Sequence, residues 1–237
     1  MKLKEPKVIT TETLNYIRVY DDVLSEEFCN DLIAKFEDNP NKHEGRVGET
    51  TMIDTDVKQS TDLALHEQPS FQEECKSLFL TNRQYVQDYL EYLVSFSQWN
   101  TPFINEKIVD SGFQMQRTEP GQFYDWHDDS NISEHFVDRG VFHRFFTYIF
   151  YMNDIDEEND GYTEFLDGTR IQPKRGRLVY FPANWCYKHR GCKPKNQTKY
   201  IVTGWMGNLH PDFQQGRPVE EGPVQSQSTS FMDNDFE

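Results

Sequence analysis

Apolar positions fall into two regimes along the chain. In the N-terminal part, Phe28, Leu32, Ile33 and Phe36 recur at the spacing of one helical face. They follow Ser25, a residue type that accepts a backbone N–H at a helix start, so a helix is predicted from about Ser25 to Asp38. Ile17 to Tyr20 reads as a short strand. Pro40 to Thr61 is polar and predicted to be loop. Pro69 opens a second helical region, in which Leu78, Tyr85, Tyr89, Leu93 and Phe96 recur at helical spacing and are expected to pack on a sheet. From about Ile108 the pattern changes to short strands separated by turns, as in a β-sandwich or barrel. Asp129 to His143 is a long polar connection and a candidate lid. Asp154 to Asp160 is acidic and reads as a solvated turn rather than a calcium site. After Gly216 the chain is acidic and rich in Ser and Gln, so 217–237 is expected to be a flexible tail. There is no internal repeat. The organisation expected is one domain over 1–216, with helical support at about 25–100 and a strand-rich core at about 108–207.

Composition narrows the classes. A chain of 237 residues can bury a real core. With 36% hydrophobic and 14% aromatic residues, that core is aromatic-rich. No stretch approaches the ~20 apolar residues of a membrane span. Residues 1–7, Met-Lys-Leu-Lys-Glu-Pro-Lys, lack an apolar secretory region, so an intracellular protein is expected. The formal net charge of −16 disfavours non-specific binding to nucleic acid or anionic membrane. Four cysteines are too few for a disulfide scaffold. Cys186, His189 and Cys192 form C-x-x-H-x-x-C, but two thiols and one imidazole fall short of the four ligands of structural zinc.

The chemistry concentrates in His127-Asp128-Asp129, in His189 sixty residues beyond Asp129, and in Lys199 ten residues beyond that. H-x-D residues on an extended strand point to the same side, so one strand can supply two ligands. Two neutral imidazoles and one carboxylate make the facial triad of non-haem Fe(II). Three coordination positions stay open, two for a chelating 2-oxo acid and one for O2. Lys199 starts the alternating segment Lys199 to Trp205, sharing a face with Ile201, Thr203 and Trp205. An ammonium on a mostly apolar inward face needs a counter-charge, and the far carboxylate of the 2-oxo acid supplies one. H-x-D alone is a weak signal; the second His, the Lys and the surrounding motifs strengthen it.

Those motifs carry a resemblance. Pro120 to Asp129 (PGQFYDWHDD) resembles the prolyl 4-hydroxylase branch of the 2-oxoglutarate/Fe(II) dioxygenases, whose pattern is Y-x-x-G-x-x-Y-x-x-H-x-D. Arg144 to Asn153 looks like that family's R-x-x-T-x-x-x-Y-L-N strand, and Asp160 to Phe165 is similar to its G-G-x-T-x-F. Arg177 to Pro182 corresponds to the strand before the distal His, and His189 to Pro194, Lys199-Tyr200 and Trp205 match H-x-G-x-P, K-Y and W. The resemblance covers roughly residues 14 to 207. Thr118 stands where the family usually has a Tyr, Asp160 replaces the first Gly of G-G-x-T-x-F, and Gly207 sits where a bulkier residue is common. Because Asp129 is present, the halogenase branch, which lacks this carboxylate, is disfavoured.

The resemblance implies a mainly β fold with supporting α-helices, a double-stranded β-helix or jelly roll. It implies Fe(II), 2-oxoglutarate and O2 as the reacting set, with ascorbate as a reductant. His127, Asp129 and His189 would hold the metal, and Lys199, Tyr151 and Thr163 the co-substrate. Tyr124, Arg144 and Trp205 match positions that hold substrate peptide. Gln114 and Gln116, on one face with Thr118, are expected to line the cavity. The implied reaction hydroxylates a C–H bond and releases succinate and CO2. A proline-containing peptide or protein is the leading substrate. Competing readings are hydroxylation of a free amino acid or other small molecule, nucleic-acid demethylation, which the charge disfavours, and a jelly-roll binding module without turnover. The oligomeric state is left open.

Overall fold

The computed structural model describes residues 16–47, 52–95, 108–130 and 143–208. The expected helices form where the patterns place them. Helix α1 (Glu26–Asp38) is capped by Ser25, whose Oγ accepts from the Phe28 N–H at 3.1 Å, with Glu26 and Glu27 in the first turn and Lys35 in the last. That charge order suits the helix dipole. Its buried face carries Cys29, Leu32 and Phe36. Pro69 lies in a 3-10 turn (Pro69–Phe71) that leads into helix α2 (Gln72–Ser95). Leu78 and Tyr89 of α2 are fully buried, and Tyr85 and Leu93 are partly buried against the same core. Phe96 lies outside the described residues, as do most of the candidate lid and the whole of the 217–237 tail.

All strand pairs are antiparallel. The strands are β1 (Arg18–Tyr20), β2 (His43–Glu44), β3 (Thr61–Ala64), β4 (Val109–Asp110), β5 (Gln114–Thr118), β6 (Tyr124–His127), β7 (His143–Tyr151), β8 (Thr163–Phe165), β9 (Arg170–Ile171), β10 (Arg177–Pro182), β11 (His189–Gly191) and β12 (Lys199–Asn208). A major sheet runs β1-β10-β7-β12-β5-β3-β2, with β4 added to β12, and a minor sheet runs β6-β11-β8-β9. The two sheets make the jelly roll.

Strand alternation sorts the core into two layers. On one face of the major sheet, Phe146, Tyr148 and Phe150 of β7, Leu178 and Tyr180 of β10 and Val202 of β12 pack against α1 and α2. The intervening residues Ile149 and Tyr151 of β7 and Val179 and Phe181 of β10 join Phe165 and Ile171 of the minor sheet in a second cluster. Tyr89 of α2 stacks on Tyr180, with centroids 5.0 Å apart and planes at 14°. The helix-side layer also encloses a polar chain. Asp110 accepts from Tyr148 Oη at 2.7 Å, from Asn82 Nδ2 at 2.8 Å and from the Gly112 N–H at 2.9 Å. Burial pushes the Asp110 pKa up, and these three donors oppose the shift.

The segment predicted as loop between Pro40 and Thr61 is more ordered than its polarity suggests. His43–Glu44 pairs with β3. Lys58 forms a bridge with Tyr124, the Gln59 N–H donates to Phe123 O at 2.7 Å and the Asp125 N–H donates to Val57 O at 2.8 Å. The exposed edge of β6 needs partners for its backbone groups, and this polar segment supplies them. In the acidic turn, Glu157–Asn159 is a 3-10 turn, and Asp160 has φ 56°. That left-handed conformation is why glycine is usual at this position in the family pattern.

Gly204 lies where a Cβ would come within 2.1 Å of Tyr148 Oη and 2.5 Å of Gly112 O. Gly204→Ala is therefore expected to break the Tyr148–Asp110 contact and destabilise the protein by about 1–3 kcal/mol. Urea denaturation should show this as a lower midpoint with an unchanged slope.

Candidate metal centre

The site grows from an irregularity in β6. On β11, His189 pairs with His127 and Gly191 pairs with Tyr124, so three steps on β6 oppose two on β11. This bulge turns Tyr124 and His127, which regular alternation would send to opposite faces, toward the same cavity. Their rings stack with centroids 3.6 Å apart and planes at 13°. Asp129 lies two residues beyond the end of β6, not on the strand as expected. It still reaches the cavity, because Thr147 Oγ1 on β7 donates to its Oδ2 at 2.6 Å. The minor sheet thus presents both imidazoles, and the major sheet anchors the carboxylate.

The protonation pattern suits metal ligation. His127 Nδ1 donates to Asp125 O at 2.7 Å, and His189 Nδ1 donates to Tyr187 O at 3.0 Å. Each Nε2 is left to face Asp129, at 3.9 Å from Oδ1 for His127 and 3.7 Å from Oδ2 for His189. A backbone acceptor on one ring nitrogen fixes the tautomer and frees the other as a ligand. The ligand atoms of His127, Asp129 and His189 lie within 4.8 Å of one another, and they form the sole such cluster among the described residues. Burial, with the neighbouring His189, lowers the His127 pKa to about 3, so this imidazole is neutral. Burial raises the Asp129 carboxyl, and the Thr147 hydroxyl and the Arg144 guanidinium oppose that rise.

The other predicted residues gather around this cluster unevenly. Lys199, Ile201, Thr203 and Trp205 of β12 share the cavity with Gln116 and Thr118 of β5, Thr147 and Ile149 of β7, Thr163, and Gly191. Thr118 stands opposite Lys199 across the strand pair. Lys199 is 3% exposed. Its Nζ donates to Gly161 O at 3.0 Å, and among the described residues no carboxylate pairs with it. Burial lowers its pKa to about 8. Thr163 lines the cavity, whereas Tyr151 is fully buried behind it and bonds its hydroxyl to Thr163 Oγ1 at 2.7 Å. Arg144 lies over Trp205, its guanidinium carbon 3.6 Å from the ring centroid, and donates to Asp129 O at 3.3 Å. Gln114 does not line the cavity. Its Nε2 donates to Asp62 Oδ2 at 2.8 Å. Cys186 is exposed and Cys192 Sγ lies 3.7 Å from Glu164 Oε2, so the C-x-x-H-x-x-C residues do not converge on His189. Lys58 and Asp62, buried beside Tyr124, were missed. The alternation Lys58-x-Ser60-x-Asp62 was the available signal, hidden within a stretch read as loop.

Residues 113–207 match the model of the 2OG-Fe(II) oxygenase superfamily. The chain carries a 2OG-Fe(II) oxygenase domain. No curated protein sequence matches it. Among solved structures, the oxygenase resembles the viral collagen prolyl hydroxylase of Paramecium bursaria Chlorella virus-1 in complex with 2OG, at 20% identity and TM-score 0.58 over 81% of this chain and 96% of that one. It also resembles a Trichoplax adhaerens prolyl hydroxylase in complex with a hypoxia-inducible-factor peptide fragment, at 16% identity and TM-score 0.58 over 81% and 84% of the two chains. A Pseudomonas putida prolyl-4-hydroxylase matches at 16% identity and TM-score 0.56 over 81% and 92%. At these identities the likeness is one of fold. The family's metal and co-substrate fit the residues present. Two neutral imidazoles and a carboxylate are the Fe(II) donor set, and the buried ammonium of Lys199 lacks the anion that 2-oxoglutarate carries. Among the described residues no helix is long and apolar enough to cross a membrane.

Lys199 generates a test. Its folded pKa of about 8 lies below the 10.5 of a free lysine, so between these pH values the unfolded chain binds more protons and stability rises with pH. Below pH 8 the buried ammonium costs about 3 kcal/mol. In the absence of 2-oxoglutarate, Lys199→Met is expected to melt at higher temperature than the wild type at pH 7. The gap should narrow as pH rises from 8 toward 10.5. Calorimetry should also show 2-oxoglutarate stabilising the wild type and not the variant.

Proposed function

We propose that this oxygenase hydroxylates a prolyl residue of a peptide or protein, with His127, Asp129 and His189 holding Fe(II). Together with 2-oxoglutarate and O2, the bound metal supplies an oxidant able to convert C–H to C–OH, with release of succinate and CO2. The chain's own residues do the rest. Thr147 orients the Asp129 carboxylate through its 2.6 Å hydrogen bond. Lys199 binds the far carboxylate of the co-substrate, and Thr163, backed by the Tyr151 hydroxyl, steadies it alongside. The apolar second cluster, with Ile149, Phe165 and Phe181, excludes water from the inner wall.

One observation carries the substrate assignment. Arg144 Nε and Trp205 Nε1 are buried beside Asp129 without a hydrogen-bond partner among the described residues. A buried donor left unpaired costs about 1–3 kcal/mol, and peptide carbonyls supply acceptors for both. Tyr124, stacked on His127, forms the facing wall. That the Trichoplax adhaerens relative was solved with a peptide fragment is consistent with this choice. Helices α1 and α2 share one apolar core with the major sheet, so we take helices and sheets together as a single domain.

Fe(II)-loaded protein incubated with 2-oxoglutarate and a panel of proline-containing peptides should release succinate and add 16 mass units at a proline, by mass spectrometry. His189→Ala should abolish both signals. Arg144→Leu should raise the peptide KM about ten- to hundredfold, as expected for lost hydrogen bonds to a charged donor, with the 2-oxoglutarate KM unchanged. Hydroxylation of free proline with none on any peptide would reject the peptide assignment.

A further inference from the structure

A buried ion pair, Lys58 with Asp62, takes no part in the proposed reaction. Lys58 is 4% exposed and Asp62 is completely buried. Lys58 Nζ donates to Asp62 Oδ2 at 2.7 Å, Ser60 Oγ donates to Asp62 Oδ1 at 2.7 Å and Gln114 Nε2 donates to Asp62 Oδ2 at 2.8 Å. The carboxylate is therefore saturated from three sides. Asp62 and Gln116 are cross-strand partners, and Gln116 lines the metal cavity. The ion pair thus lies at the flank of the site, between the two sheets.

A buried ion pair is weak evidence of stabilisation, because desolvation consumes much of the Coulombic gain. Its placement suggests another role. The Lys58 ammonium lies 5.0 Å from the centroid of the Tyr124 ring, and the same ring stacks at 3.6 Å on His127. The backbones are tied as well, since Lys58 and Tyr124 are bridge partners flanked by the Gln59–Phe123 and Val57–Asp125 hydrogen bonds. The segment carrying Lys58 continues directly into β3 of the major sheet, so it spans both sheets. Gly45 seals its outer side, where a Cβ would come within 3.0 Å of Lys58 Cε and 2.3 Å of Ser60 Oγ. Lys58 has little freedom to leave.

We infer that Lys58, held by Asp62, is a positioning residue for the metal centre: its ammonium fixes the Tyr124 ring, and that ring fixes the plane of the His127 imidazole. His127 sits at the bulge, where its Nδ1 bond goes to Asp125 O within the same irregular strand. A ligand on such a strand needs support from outside it. A cation over an aromatic face provides that support in a desolvated setting. The inference rests on His127 being a metal ligand.

Co(II) serves as the probe, titrated by its visible absorption into the full chain without substrate. Lys58→Met/Asp62→Asn removes both charges, so neither is left buried alone. It should weaken Co(II) binding about tenfold, the scale of outer-shell changes at metal sites. Tyr124→Leu should weaken binding at least as much, Tyr124→Phe should match the wild type, and the triple variant should bind no more weakly than Tyr124→Leu. Wild-type affinity in Lys58→Met/Asp62→Asn, or effects that multiply in the triple variant, would overturn the inference. If Lys58→Met/Asp62→Asn does not fold, the Tyr124 pair decides: unchanged affinity in Tyr124→Leu overturns the inference, and a loss restored in Tyr124→Phe supports it. Wild type that binds Co(II) no better than His189→Ala would instead reject the metal site, and this inference with it.

Discussion

Strands β7 and β12 are covered on both faces, and this constraint governs the rest of the molecule. A strand with helices on one side and a second sheet on the other must satisfy two environments with alternate residues. On β7, Phe146, Tyr148 and Phe150 serve the helices, while Thr147, Ile149 and Tyr151 serve the space between the sheets. On β12, Val202 and Met206 face the helices, and Lys199, Ile201, Thr203 and Trp205 face the cavity. A shift of one residue would send Lys199 into an aromatic core and Phe150 into the site. The aromatic layer and the chemical layer therefore enforce one another's register.

The chemical layer is expensive, and the fold offsets the cost by saturating most of it. Asp129 receives Thr147, Asp62 receives Lys58, Ser60 and Gln114, and Tyr151 and Thr163 bond to each other. Within this layer, and among the described residues, the ammonium of Lys199 has no carboxylate, and Arg144 Nε and Trp205 Nε1 have no hydrogen-bond partner. On the helix side Asp110 is satisfied by three donors, whereas Glu74 Oε2, Arg117 Nε and Arg175 Nε, also away from the cavity, have no partner among the described residues. At the cavity, the unmet capacity of Lys199, Arg144 and Trp205 lies where co-substrate and substrate would enter.

Much of this was legible because it is local. The Ser25 cap, the helical faces of α1 and α2, and the inward set Lys199, Ile201, Thr203 and Trp205 follow from side-chain periodicity, which depends on neighbours in the chain. The ordered motifs from His127 to Trp205 located the site for the same reason. The errors share a different cause. Alternation alone puts Gln114 in the cavity beside Gln116 and Thr118, but Asp62, on a neighbouring strand, captures its amide. Polarity around Lys58 suggested solvent, yet a lysine and an aspartate four residues apart can be buried together once they neutralise each other.

The sequence by itself determined which residues are available, the period of each element, and the two-histidine, one-carboxylate chemistry with a lysine alongside. These properties depend on residue type and short spacing. Only the tertiary structure decided how they meet. The bulge that turns Tyr124 and His127 to one side exists because four residues of β6 oppose three of β11, a property of a pair of strands far apart in the chain. Asp129 reaches the cavity from beyond its strand because Thr147 on the opposite sheet holds it. Lys58 lies beside the metal cluster because the edge of β6 needed backbone partners. Each is a contact between segments distant in sequence, and such pairings are fixed by which buried groups must be satisfied together, which no local pattern encodes.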